Sequence, residues 1–188
     1  SESNNTVIFS NRMRYVVFSP YWNVPPSIVK AEILPGMRKN ENYLAQKNME
    51  ITTAGDVPTI RQLPGAQNSL GLVKFLFPNS YNIYLHDTPG KHLFARQNRS
   101  LSHGCIRLGD ARKMASYLLR ADTSWTPIKI DTAMHQQKEK WVTLKKTIPV
   151  FMAYFTSWVD ANGTLQFRKD IYDLDDKMLA LLFKKEDE

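Results

Sequence analysis

The sequence has one cysteine among 188 residues, so no disulfide can form within the chain and a disulfide-stapled scaffold is excluded. It also lacks a run of about 18 consecutive apolar residues, so no membrane-spanning helix is predicted. Basic residues outnumber acidic ones by 25 to 18, but they are scattered, without the compact basic run and interleaved aromatics of nucleic-acid-binding proteins. We interpret the net charge of +7 as a bias towards anionic partners, with no nucleic acid among them.

Low-complexity tracts are absent as well, and aromatic residues make up 11% of the chain, which argues against disorder. A chain of this length fits one domain that buries its own core. We therefore expect residues 1–188 to form a single domain. The chain begins without an initiator Met and without a signal peptide, which predicts a mature or excised form.

The hydrophobic pattern predicts a mainly β fold with a few helices, whose strands are joined by hairpins rather than by βαβ repeats. Helical spacing is clearest between Asp110, a good N-cap, and Arg120. A second helix is predicted at 173–183. Strands are predicted at 14–18, 72–77, 82–85, 127–130, 148–159 and 164–168, with 160–163 as a hairpin turn.

Residues 24–70 have a different character, because proline and glycine pairs punctuate them. Two short helices are predicted there, at 27–34 and 41–47, with Ser27 as the N-cap of the first. We interpret this region as a lid-like insertion within the domain. It is expected to be too short and too polar to hold a core of its own.

The run Ser102-His103-Gly104-Cys105-Ile106-Arg107, with His86 upstream, carries the clearest chemical signal. A lone cysteine is most often a small buried hydrophobe. A histidine brought close to it would instead activate the thiol as a nucleophile for acyl transfer. Spacing alone leaves open whether His86 or His103 is that base.

The neighbours of the cysteine support the same chemistry. Gly104 places no side chain in front of the thiol, and its backbone N–H with that of Cys105 would form an oxyanion hole. If the segment is extended, Arg107 lies on the same face as Cys105. Two other interpretations stay open. One is a zinc site of His86, His103 and Cys105, whose spacing does not match the usual paired-ligand motifs. The other is a non-catalytic module with a degenerate site, although every chemically required residue is present.

These residues resemble the active-site signature of the L,D-transpeptidases (YkuD-type). The similar segments are 83–89 (Ile-Tyr-Leu-His-Asp-Thr-Pro), Leu93-Phe94 and 102–107. The similarity is greatest to the large periplasmic subfamily that carries a lid, or capping subdomain. Residues 21–26, 64–65 and 68–71 resemble the boundaries of that lid, and 148–150 and 170–172 resemble C-terminal segments of the subfamily.

The resemblance implies a mixed β-sheet sandwich or barrel with an inserted lid, and an enzyme without cofactor or metal that acts on peptidoglycan in the periplasm or cell envelope. Such an enzyme joins a tetrapeptide donor stem to the diamino acid of an acceptor stem. The 3→3 cross-link forms through a cysteine thioester, and carbapenems are expected inhibitors. The same nucleophile would also serve an L,D-carboxypeptidase or an enzyme that attaches proteins to the wall. A non-catalytic wall-binding module is the remaining alternative.

The resemblance also implies a role for each site residue. Cys105 is the nucleophile and His86 the base, with the backbone carbonyl of Asp87 orienting the imidazole. His103 lines the site and supports the oxyanion together with the amides of Gly104 and Cys105. Arg107 binds a substrate carboxylate, and Tyr84 flanks the pocket. Family domains begin with a further strand pair, which is expected to be absent from this chain.

Overall fold

The computed structural model describes residues 7–97 and 105–183. Within them the strands are β1 (Phe9–Phe18), β2 (Trp22–Asn23), β3 (Met49–Thr53), β4 (Thr59–Gln62), β5 (Val73–Leu76), β6 (Leu85–His86), β7 (Ile106–Arg107), β8 (Lys140–Met152), β9 (Ser157–Val159) and β10 (Leu165–Phe167). The α-helices are α1 (Pro26–Ile28), α2 (Leu34–Lys39), α3 (Tyr43–Gln46), α4 (Ala111–Leu119), α5 (Pro127–Met134) and α6 (Asp175–Leu182). A π-helical turn (Val29–Ile33) and a 3₁₀ helix (Lys91–Ala95) complete the described elements.

The chain divides into two compact units, one of residues 11–150 and one of residues 1–10 with 151–188. The first unit contains most of a five-stranded sheet of order β7-β6-β5-β1-β8. The last three residues of β1, Val16, Val17 and Phe18, are fully buried, as are Val73 and Phe75 of β5, and together they form part of the core. The predicted fold class, mainly β with a few helices, is confirmed.

One expectation about connections is wrong. β1, β5 and β6 are antiparallel neighbours, but β6 and β7 run parallel. Parallel neighbours need a crossover rather than a hairpin, and here the chain between His86 and Ile106 provides it. This parallel pair carries both ends of the expected catalytic signature.

The helix expected at 110–120 is confirmed as α4, and the side chain of Asp110 accepts a hydrogen bond from the amide of Lys113 at 2.9 Å. The strand expected at 127–130 is wrong, because these residues begin α5. Thr126 caps this helix and Pro127 occupies its first turn, where its fixed φ is favourable. Ile130, Ala133 and Met134 then form the buried face, with the spacing of a helix rather than of a strand.

Of the strand expected at 82–85, only Leu85 lies in a strand, β6, which continues to His86. Asn79 prevents an earlier start, because its side-chain oxygen accepts hydrogen bonds from the amides of Tyr81 and Ile83. Asn82 adopts a positive φ of 55°, which no strand residue does. The residues before β6 therefore form a turn, and the Asn82 carbonyl in this turn accepts a hydrogen bond from Cys105 Sγ.

The region expected to be a lid has a core, contrary to the prediction. A three-stranded sheet of order β2-β4-β3 packs with the helical segment 26–39, and the buried cluster consists of Val24, Val29, Ile33 and Ile60. The helical segment begins one residue before Ser27, with Pro25 as the N-cap residue and Pro26 in the first turn. Ser27 is therefore not the N-cap, since Pro26 already has the φ that a helix needs.

The second unit contains a hairpin of β9 and β10 and the helix α6. The turn between the strands is confirmed: the Asp160 carboxylate accepts hydrogen bonds from the amides of Asn162 and Thr164 at 2.9 and 3.0 Å. The long strand expected at 148–159 is interrupted, because β8 ends at Met152 and β9 begins at Ser157. Within the described ranges, no helix combines the length and the apolar character that spanning a bilayer requires.

Candidate active site

The register between β6 and β7 brings the predicted catalytic residues to one face of the sheet. Leu85 pairs with Ile106 and His86 with Arg107, and the amide of Ile106 donates to the carbonyl of Tyr84 at 3.0 Å. Cys105 therefore lies beside Tyr84, two positions before the pair of His86 and Arg107. Paired residues share a face and successive residues alternate, so Tyr84, His86, Cys105 and Arg107 are all on the same side.

His86 is buried, with 5% of its surface exposed, and the backbone holds its ring. Its Nδ1 atom lies within hydrogen-bond distance of the Asp87 carbonyl oxygen, and the Leu70 carbonyl also acts as an acceptor for the imidazole. With its single proton on Nδ1, which faces the Asp87 carbonyl, the neutral imidazole keeps on Nε2 the lone pair that a base needs.

The charge state of His86 follows from its surroundings. Burial lowers the pKa of His86, and the nearby positive charge of Arg107 lowers it further, while the two carbonyls and the Asp87 carboxylate oppose this in part. The imidazole is therefore neutral at neutral pH and able to accept a proton.

Cys105 is half-buried and hydrogen-bonded to the turn before β6. Its Sγ donates to the Asn82 carbonyl at 3.7 Å, and the side chain of Tyr84 forms a second hydrogen bond to the sulfur. Burial raises the pKa of the Cys105 thiol, and the hydrogen bonds with Tyr84 offset only part of that effect. The sulfur therefore rests as a thiol rather than as a preformed thiolate.

Tyr84 contacts both of the predicted catalytic side chains. Its ring meets that of His86 edge-on, with centroids 5.9 Å apart, and its hydroxyl bonds to Cys105. Burial and the adjacent sulfur raise the pKa of Tyr84 far above its ordinary value, so its hydroxyl stays protonated and acts as a donor. Arg107 is half-buried and paired with His86.

The sequence analysis missed a polar cluster behind His86. The side chain of the buried residue Asp87 accepts hydrogen bonds from the Leu72 amide at 3.0 Å and from Lys91 Nζ at 2.5 Å. Lys91 Nζ also donates to the Leu108 carbonyl at 3.0 Å. Gly71 has φ +64°, and a Cβ atom there would overlap the Asp87 carboxylate. The spacing of Asp87 and Lys91, four residues apart, was the available signal, although it is usually read only on helices.

Three parts of the predicted site, Ser102, His103 and Gly104, lie outside the described residues. The roles expected for His103 and for the Gly104 amide stay predictions. The described residues contain no cluster of three or more histidine, cysteine or carboxylate side chains suited to a metal ion. The zinc alternative depends on His103 and is therefore not covered by that finding.

Comparison with known proteins agrees with the resemblance. The sequence model of the YkuD family, the L,D-transpeptidase catalytic domain, matches residues 1–140. A protein of Haemophilus influenzae named "Putative L,D-transpeptidase" is 33% identical over 192 residues, which cover 93% of this chain and 39% of that protein. The chain thus spans about two fifths of the length of this curated relative. Since the family match extends over most of the sequence, the chain belongs to the YkuD family of L,D-transpeptidase catalytic domains.

Proposed function

We propose that this protein is a peptidoglycan L,D-transpeptidase that forms 3→3 cross-links through a thioester on Cys105. The observation that carries the proposal is the parallel pairing of β6 and β7, which puts Cys105 beside Tyr84 and, two positions along the pair, on the same face as His86. Family membership implies a peptidoglycan substrate. Such a substrate places the reaction in the periplasm or cell envelope.

Acylation begins from the neutral pair. Nε2 of His86 takes the thiol proton as Cys105 Sγ attacks the carbonyl carbon of the third residue of a tetrapeptide stem. Because the raised pKa of the thiol disfavours a free thiolate, the sulfur gives its proton to a positioned base during the attack. The tetrahedral intermediate then breaks its bond to the terminal D-Ala, whose amine leaves with the proton from His86. The product is a thioester between Cys105 and the stem.

The second half of the reaction reverses the direction of proton transfer. The side-chain amine of a second stem attacks the thioester carbonyl while His86 removes its proton. The carbon–sulfur bond breaks, the sulfur regains a proton from His86, and the new amide joins the third residues of the two stems. Neither half needs a metal or cofactor, because the thiol, imidazole and amine supply every bond and proton.

Other groups on the same face stabilise charge. The hydroxyl of Tyr84 donates to Cys105 and stabilises negative charge that develops on the sulfur. Arg107 lies beside His86 and holds a guanidinium fork that fits a stem carboxylate. The amides of Cys105 and Gly104, together with His103, are the proposed oxyanion donors.

Incubation with a tetrapeptide stem, followed by mass analysis of the products, tests the proposal. The expected result is a 3→3 dimer with release of D-Ala, lost in Cys105→Ala. Tripeptide without dimer would instead identify an L,D-carboxypeptidase, and dimer formation by Cys105→Ala would show that the nucleophile is assigned wrongly. Transfer to a protein amine, with no dimer, would indicate wall attachment. Binding of stems without any product would indicate a non-catalytic module.

A further inference from the structure

The polar cluster behind His86 connects the two strands that carry the catalytic residues. Asp87 directly follows His86 and lies on the opposite side of the chain from the imidazole. Its backbone amide donates to the Val73 carbonyl at 2.9 Å, so the Asp87 peptide is fixed to β5. Its carboxylate is fixed separately, by the Leu72 amide at 3.0 Å and by Lys91.

Lys91 reaches both strands. Its ammonium bonds Asp87 Oδ1 at 2.5 Å, next to the end of β6, and the Leu108 carbonyl at 3.0 Å, next to the end of β7. β6 and β7 are only two residues long each, and their parallel pairing ends where the amide of Leu108 donates to the His86 carbonyl at 2.8 Å. The Lys91 ammonium therefore joins the ends of this very short strand pair, through an ion pair to Asp87 after β6 and a hydrogen bond to Leu108 after β7.

We propose that Lys91 and the Asp87 carboxylate form a clamp that fixes His86 relative to Cys105, which makes them positioning residues for the base. This inference rests on the proposed function, because it assigns the clamp an effect on the proton transfer from Cys105 to His86. The clamp does not touch the substrate. It acts through the Asp87 peptide, whose carbonyl oxygen holds His86 Nδ1.

The geometry supports a functional clamp over a surface ion pair. The Asp87 side chain is only 10% exposed, while that of Lys91 is 46% exposed, so the carboxylate depends on its partners for charge compensation. Exposed ion pairs contribute little to stability. Here the carboxylate is also held by the Leu72 amide, and Lys91 also donates to the Leu108 carbonyl, so the pair is fixed at both ends. The overlap that a Cβ at Gly71 would produce shows how closely the backbone is packed against this carboxylate.

A double-mutant cycle tests the clamp by the rate at which a carbapenem acylates the intact chain, followed by mass. Lys91→Met removes the ammonium but keeps most of the side-chain length. Loss of a hydrogen bond to a charged group predicts a rate about 10-fold lower. The exposed Lys113→Met on α4 is the matched control and should leave the rate unchanged. Lys91→Arg should restore part of the rate, because it keeps a cation at Asp87.

The decisive arm combines Lys91→Met with His86→Ala. If the clamp acts through the base, Lys91→Met changes the rate by less than about twofold once His86 is removed. If Lys91→Met lowers the acylation rate equally in the wild type and in His86→Ala, the clamp is overturned and the proposed function stays intact. The same holds if Lys91→Met is acylated at the normal rate while His86→Ala is slow. Absence of acylation in the wild type, or unimpaired acylation by His86→Ala, overturns the proposed mechanism together with the clamp.

Folding is controlled in the same experiment. Lys91→Met leaves a buried carboxylate without its ion pair, so the double variant Lys91→Met/Asp87→Asn, which removes both charges, is measured beside it. Asp87→Asn keeps an oxygen for the Leu72 amide. The clamp predicts slow acylation in this variant with a melting temperature close to that of the wild type. Full acylation by the well-folded double variant would contradict the clamp.

A pH profile separates positioning from simple destabilisation. Among the described residues, the charged and titratable groups near His86 are Asp87 and Arg107, Tyr84, whose ring meets the imidazole edge-on, and Lys74, which is paired with His86 across β5. Lys74 is ion-paired with Glu139 at 3.1 Å, Lys91 with Asp87, and Cys105 lies beyond Tyr84. The Asp87 carboxylate helps to hold the His86 pKa up, so Asp87→Asn should move the acidic limb of the acylation rate to lower pH. A structural role without effect on the base would lower the rate and leave that limb in place.

Discussion

The two halves of the proposed active site, His86 and Cys105, are held in place by different kinds of contact. His86 is 5% exposed and oriented by backbone carbonyls of Asp87 and Leu70, which are fixed in turn by β5 and by the Asp87 cluster. Cys105 is half-buried and held by the Asn82 carbonyl and by both the backbone and the side chain of Tyr84. The proposed base is thus oriented by backbone carbonyls, whereas the pKa of the proposed nucleophile is set by burial and by hydrogen bonds from Tyr84, one of them from its side chain.

The comparison also explains the resting state. Burial lowers the pKa of the base and raises that of the thiol, so both groups are neutral before substrate arrives. A buried ion pair would have to overcome the cost of desolvating two charges. The neutral pair avoids that cost and creates charge only while the proton moves.

The largest expected effect comes from the base. His86→Ala should lower the rate of acylation about 10²- to 10⁴-fold, because no other side chain described on this face accepts the proton from Cys105. Quenched-flow mass analysis measures that rate. His135→Ala is the control, since His135 is exposed and its Nδ1 contacts the backbone and side chain of Asp131. A large loss in His103→Ala with none in His86→Ala would reverse the assignment.

Arg107→Ala should have the next largest effect. Loss of a charged hydrogen bond to substrate predicts a kcat/KM about 10- to 100-fold lower, with partial recovery in Arg107→Lys. Removal of the charge should also raise the pKa of His86, which moves the acidic limb of the pH profile upward. Amidation of the stem carboxylates should slow the wild type strongly and Arg107→Ala hardly at all. Equal slowing of both, with a lower melting temperature for Arg107→Ala, would make Arg107 structural.

Gly71→Ala tests whether the backbone orients the base. Its positive φ and the overlap of a Cβ with Asp87 predict a loss of about 2 kcal/mol in the free energy of unfolding, together with slower acylation. Chemical denaturation measures the loss. Gly163→Ala is a matched control, because φ is +80° there but nothing lies within 4 Å of an added Cβ. Equal losses in the two variants would mean that contact with Asp87 costs nothing.

The smallest expected effect belongs to Tyr84→Phe. This variant removes one hydrogen bond to the sulfur, so the thiol pKa should rise further and acylation should slow about 10-fold at neutral pH. Alkylation of Cys105 against pH reports the thiol directly. The variant Tyr117→Phe, at an exposed position on α4, is the control. A lower thiol pKa in Tyr84→Phe would contradict the donor role of the hydroxyl.

Much of the site was accessible from the sequence because its residues are close in sequence or on adjoining strands. The helix behind β7 was readable from Asp110 and the apolar spacing that follows it. The expectation of a strand at 127–130 failed because it weighed the β-branched Ile128 and Ile130 over the start signal of Thr126 and Pro127.

The remaining features depend on long-range contacts that no local pattern contains. The parallel pairing of β6 with β7 requires a crossover between them. The Asn82 carbonyl that accepts the Cys105 hydrogen bond lies in the turn formed at Asn79 and Asn82. The link from Lys91 to Leu108 spans 17 positions. The core of the lid region arises likewise from pairing between Val24, in the first part of that region, and Ile60 near its end.

The central claim is that Cys105 is acylated with His86 as its base. The most direct measurement is the intact mass of the chain after incubation with a carbapenem, with peptide mapping of the adduct in wild type, Cys105→Ala and His86→Ala. We predict one adduct on Cys105 in the wild type, none in Cys105→Ala and slow formation in His86→Ala. An adduct of equal yield in Cys105→Ala, or one mapped to another residue in the wild type, would contradict the account.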